Sequence, residues 1–86
     1  MNINQLIAIV KNKLKESIKI EDIKIEDKSF LHKNHKGHQE GKFHLKLSIK
    51  SAELAKYKKI EATKKIYSVI DKELKEYIHS IQVLLN

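Results

Sequence analysis

Phe43-His44-Leu45-Lys46-Leu47-Ser48-Ile49-Lys50, the run FHLKLSIK, alternates apolar and polar residues over its whole length. A period of two sends Phe43, Leu45, Leu47 and Ile49 to one face of a strand and the polar residues to the other. Upstream, Ile20 to Asp27 has the same character, with Ile23 and Ile25 alternating with Lys24 and Glu26. The two runs predict an antiparallel pair. Each has one apolar face, so helices must cover one side of the sheet they start.

The helices stand on either side of this pair. From Ile3 to Ile18, the residues Ile3, Leu6, Ile7, Val10, Leu14 and Ile18 recur at steps of three and four, the spacing of one helical face. Asn2 is placed to cap this helix, and Gln5, three residues on, completes a capping box. Downstream, Ser51 is placed to cap a short helical turn through Ala52, Glu53, Leu54 and Ala55. From Ile60 to Tyr77 the residues Ile66, Val69, Ile70, Leu74 and Tyr77 mark one side of a longer helix. The closing run, Ile78 to Leu85 (IHSIQVLL), reads as a third strand. The order is α-β-β-α-α-β, a two-layer α+β domain with a three-stranded mixed sheet and helices on one face.

With 86 residues, the chain has room for one core and one domain, residues 1–86. It has no Cys, which excludes disulfides, thiolate nucleophiles and Cys-based zinc sites. Any metal held by this chain must use His and carboxylates. No window approaches the roughly 18 apolar residues of a membrane span, so a soluble cytoplasmic protein is expected. The formal charge is +7, and all 18 basic residues are Lys. Such an excess suits an anionic partner, DNA among them, with Lys58, Lys59, Lys64 and Lys65 as candidate contacts. The absence of Arg argues against bidentate base readout and leaves a merely solvated Lys surface as the other reading.

Four of the five histidines lie between Ser29 and His44, in SFLHKNHKGHQEGKFH. His32, His35 and His38 follow one another at three-residue steps, and His44 opens the second strand. Neutral imidazole binds metals, and a pKa of about 6.5 leaves it neutral near physiological pH. Spacing alone leaves metal ligation and a solvated loop both open. His79 shares the strand parity of Ile81, Val83 and Leu85, which predicts a partly buried ring satisfied by backbone; the alternative sets it at the sheet end near the loop. Tyr57, Tyr67 and Tyr77 have the spacing of packing residues. There is no GxSxG elbow, no phosphate-cradling loop and no carboxylate pair with an acid/base spacing, so no enzyme is expected.

Asp27, Ser29, Leu31, His32, His35 and His44 form the pattern D-x-S-x-L-H-x-x-H with a further His nine residues on, and Ile78-His79-Ser80-Ile81 opens the last strand. In both features the chain resembles the BolA family. That resemblance implies a fold akin to the class II KH topology and pairing with a monothiol CGFS-type glutaredoxin. In such a heterodimer a [2Fe-2S] cluster takes thiolates from the glutaredoxin and its glutathione, and histidines from the BolA side. By position, His35 and His79 correspond to the ligands, with His32, His38 and His44 secondary. No cofactor is then expected on the isolated chain, which is read as a monomer or weak homodimer. The chain departs from the family where Leu54 and Lys56 replace an aromatic residue and a Gly. Ala62, Thr63 and Lys64 replace an Arg-His-Arg on the surface associated with nucleic acid.

Overall fold

A computed structural model of the chain describes residues 1–29 and 42–86. The helix α1, Ile3–Ser17, begins with the capping box read from its sequence. The Gln5 N–H donates to Asn2 Oδ1 at 2.8 Å, and the Asn2 N–H donates to Gln5 Oε1 at 3.0 Å. Two otherwise orphaned backbone donors are satisfied in this way. Leu6, Val10 and Leu14 are buried at four-residue spacing along one stripe, and Ile18, extended, ends the helix.

The strands are β1 (Asp22–Asp27), β2 (Phe43–Lys50) and β3 (Ile78–Leu85), in the sheet order β1-β2-β3. The strands β1 and β2 are antiparallel, with Ile23 opposite Ile49 and Ile25 opposite Leu47. The strand β3 runs parallel to β2, with Leu45 opposite Ile81 and Leu47 opposite Val83. Parallel neighbours need a crossover, which α2 (Lys59–Val69) and α3 (Asp71–Glu76) supply. Leu45, Leu47 and Ile49 are buried and join Leu6, Val10, Leu14, Ala62, Ile66 and Ile70 in one core. Burying each such Leu or Ile contributes about 1.5–3 kcal/mol, enough for β2 to organise both layers.

In three places the structure differs from the sequence expectation. The first strand starts at Asp22 rather than Ile20. The short turn after β2 is a 3₁₀ turn at Leu54–Lys56, later than expected. Ser51 still anchors it, because its Oγ accepts the Leu54 N–H at 3.1 Å while donating to the Lys19 carbonyl at 2.6 Å. The long helix expected from Ile60 to Tyr77 is two helices, broken at Ile70 (φ −108°, ψ 25°). No Gly or Pro stands at the break. Asp71 and Glu73 fall in the first turn of α3, where acidic side chains complement a helix N-terminus. Ile70 itself is fully buried, as the apolar periodicity requires.

The break also places Glu73. Its carboxylate is buried and accepts from Lys13 Nζ of α1 at 2.7 Å. The Tyr77 N–H then donates to the Glu73 carbonyl, and the Phe43 N–H donates to the Tyr77 carbonyl, each at 2.9 Å. A chain of bonds therefore runs from α1 through α3 to the start of the β2–β3 ladder, where the two described histidines lie.

Candidate functional site

Asp27 and Ser29 build the first side of the site. The Ser29 N–H donates to Asp27 Oδ1 at 2.9 Å, a local turn bond of the kind Asp favours. Ser29 Oγ then accepts the His44 N–H at 3.0 Å, and the Lys28 N–H donates to the His44 carbonyl at 2.7 Å. The D-x-S element thus fixes the backbone of His44 near the start of β2.

On the other side, Phe43 pairs with Ile78 but His44 pairs with Ser80, so β3 carries one extra residue, His79, at a β-bulge. A bulge removes one residue from the alternation and re-aims its side chain. This corrects the partly buried reading of His79, whose ring is exposed at the end of the sheet. It also brings together two histidines 35 positions apart in sequence: the ring centroids of His44 and His79 are 4.9 Å apart, with the planes inclined at 57°.

His44 lies on the sheet face opposite the helices, the face carrying Lys46 and Ser48, yet it is buried. Its Nδ1 is 2.6 Å from Ser80 Oγ, and the tautomer decides which of the two donates. A hydroxyl on Nδ1 orients the ring, as the partners of metal-binding imidazoles do. Beside it is a concavity of about 340 Å³ lined by Lys28, His44, Leu45, Lys46, Ser80, Ile81 and Gln82. Ser29 and Ser80 were the residues that sequence reasoning missed as parts of the site. Their signal was present in the D-x-S and His-small-apolar patterns, but what they bond to is set by the fold.

Of the other predicted site residues, His32, His35 and His38 lie outside the described residues. Among the described residues, no group of three or more His, Cys, Asp or Glu side chains gathers to hold a metal ion. The donor set here is therefore two imidazoles with lysines beside them. It suits part of the shell of a thiolate-bearing cluster, whose negative charge the lysines would offset. Two imidazoles would fill only part of such a shell, and its other ligands would have to come from outside this pair.

The four lysines considered for nucleic acid are not equivalent. Lys58, Lys59 and Lys64 are exposed. Lys65 is tied to Glu53 at 3.2 Å and lies over the Tyr57 ring, 5.2 Å from its centroid. The hydrogen bond from Lys65, with one from the Lys19 N–H, holds the Glu53 carboxyl below its ordinary value, and the same ion pair raises the Lys65 ammonium above its own. Glu26 is likewise lowered, first by its bond to Lys24. Tyr67 and Tyr77 pack against the core as expected, while Tyr57 is 43% exposed.

A three-stranded mixed sheet covered on one face by helices, in the order α-β-β-α-α-β, defines a two-layer α+β domain, and a bulge-borne histidine lies beside a β2 histidine at one end of its sheet. The model of the BolA family, BolA-like protein, matches residues 14–85, and the chain belongs to that family. Among solved structures it is similar to the BolA domain of SufE1 from Arabidopsis thaliana, with TM-score 0.79 and 21% identity, covering 100% of this chain and 93% of that one. It is also similar to BolA1 from Arabidopsis thaliana, with TM-score 0.77 and 21% identity over 92% of this chain and 87% of that one. BolA1 from Mus musculus gives TM-score 0.74 and 14% identity, over 92% and 62% of the two chains. At these identities the likeness is one of fold. Comparison with curated proteins gave no match.

Proposed function

We propose that this chain is a non-enzymatic adaptor in iron-sulfur cluster assembly, trafficking or iron regulation. It pairs with a monothiol CGFS-type glutaredoxin and supplies imidazole ligands to a [2Fe-2S] cluster whose thiolates come from the glutaredoxin and glutathione. His79 is the ligand from β3. The second is His35, the residue the family pattern favours, or His44. The observation that carries the reading is the bulge that exposes His79 and sets its ring 4.9 Å from His44 in a chain without Cys. An exposed imidazole at a sheet end is accessible to a cluster shared with a second protein. Lys28 and Lys46, which line the concavity with the neighbouring His44, favour the anionic thiolates such a partner would bring. The nucleic-acid reading has less support, since Lys65 is engaged within the chain.

Reconstitution with a monothiol glutaredoxin, glutathione, iron and sulfide tests this. Visible circular dichroism of the mixture should differ from that of the glutaredoxin alone, and His79→Ala should remove the difference. His35→Ala and His44→Ala, measured separately, identify the second ligand. A mixed spectrum indifferent to all three substitutions would defeat the proposal.

A further inference from the structure

We infer that the outer edge of β3 is a self-association surface, on which a second copy of this chain adds its own β3 antiparallel across a two-fold axis at Val83. This goes beyond the proposed cluster role and does not depend on it.

The strand β3 is one of the two outermost in the sheet. The Asn86 N–H donates to the Ile49 carbonyl at 2.9 Å, and Ile49 is the register partner of Leu85. In a parallel ladder that bond turns the backbone groups of Leu84 and Asn86 toward β2. By alternation, those of Ile81, Val83 and Leu85 point away from the sheet. Among the described residues, no other element pairs with these outward groups.

Proteins usually blunt such an edge with charge, Pro or a cover. The other edge strand follows that rule, since β1 carries Asp22, Lys24, Glu26 and Asp27. From Ile78 to Asn86 there is no charged side chain and no Pro, in a chain of net charge +7. The uncharged edge is where two such chains can meet without setting like charges side by side.

The strand is also self-complementary. With Val83 on the two-fold axis, Ile81 of each copy faces Leu85 of the other, and Val83 faces Val83. Every outward N–H and C=O then finds a partner. The bulge at His79 excludes registers that extend the ladder past Ser80, because beyond it the alternation is reversed. The apolar face continues across the seam through Ile81, Val83 and Leu85, all packed against the core. On the open face, Gln82 of each copy lies opposite Leu84 of the other. Five paired residues per chain bury much less than the roughly 1,600 Å² of a standard interface, so association is weak and concentration-dependent. Mutual repulsion of the two positive chains makes it strengthen with salt, as the screening length falls to about 8 Å near physiological ionic strength.

Sedimentation equilibrium over a concentration series, at low and high salt, reads the mass. The expected result is a rise from the 10.1 kDa of one chain toward twice that value, steeper at high salt. Amide exchange by NMR reads the edge: the N–H groups of Ile81, Val83 and Leu85 should slow as concentration rises, while those of Gln82 and Leu84 stay protected throughout. Gln82→Lys with Leu84→Lys places Lys against Lys twice across the seam and should hold the mass at one chain. Gln82→Lys with Leu84→Glu places Lys against Glu and should keep the dimer. Circular dichroism confirms that both double variants are folded. A single-chain mass at every concentration would overturn the inference and leave the edge to some other strand. So would a dimer whose three outward amides still exchange fast, or double variants that associate alike.

Discussion

Replacing Lys13 with Met removes the ammonium partner of a buried carboxylate, and its cost follows from the geometry. Glu73 has 5% of its side chain exposed and Lys13 has 40%, with 2.7 Å between the charged atoms. Deleting one partner of a fully buried pair costs about 3–5 kcal/mol, because the remaining charge is stranded. Water reaches the Lys13 end, so the expected loss is smaller, about 2 kcal/mol, within the range for charged hydrogen bonds. In a domain of this size that is a large share of total stability, and it corresponds to a fall in Tm of roughly 8–16 °C. Thermal and urea unfolding monitored by circular dichroism would measure it. The second half of the prediction is recovery: Lys13→Met combined with Glu73→Leu should regain most of the loss, because no charge is left buried. A single variant within about 0.5 kcal/mol of wild type, the range of ordinary surface changes, would refute the reasoning. So would a double variant no better than the single one. Since Glu73 also begins the bond chain to Tyr77 and Phe43, the single variant should accelerate amide exchange at Phe43 before the rest of β2.

Three further outcomes are expected. Ser80→Ala removes the hydroxyl 2.6 Å from His44 Nδ1; it should cost about 1 kcal/mol and shift the His44 tautomer balance, read from its ring ¹⁵N chemical shifts. Ile70→Ala, at a fully buried position where α2 gives way to α3, should cost about 2–5 kcal/mol in urea unfolding. On acidification, Glu53 and Glu26 have folded-state values below the ordinary 4.5, so their contribution is full above that pH and is lost as the pH falls through the lowered values. Glu53→Gln should flatten this acid limb in a stability-versus-pH series, and an unchanged limb would remove Glu53 from the account.

The parts of the molecule set by local periodicity were legible in the chain. The alternation of FHLKLSIK and the four-residue stripe Leu6, Val10, Leu14 each demand one buried face, and the capping box at Asn2 and Gln5 is a purely local device. The split of the last long helix was not legible, because Ile66, Ile70 and Leu74 keep a helical spacing across a break that has no Gly or Pro to announce it. His79 shows the same limit in the site. Strict alternation assigns it to the core side, and only the register between β2 and β3 reveals the extra residue that turns it outward. The alternation sets His44 on the polar face, but its bonds to Ser29 and Ser80, which arrive from two different strand ends, are made only in the fold. Patterns within one element were readable, whereas features made by the meeting of two elements needed the fold.

The most direct test of the histidine-ligand claim uses this chain labelled with ¹⁵N-histidine and assembled with unlabelled monothiol glutaredoxin, glutathione, iron and sulfide. Electron-nuclear double resonance of the reduced cluster should show ¹⁵N coupling from imidazole bound to iron, and His79→Ala should abolish or halve it. A reduced cluster with no ¹⁵N coupling, or one whose coupling is untouched by His79→Ala, would contradict the assignment of His79 as a cluster ligand.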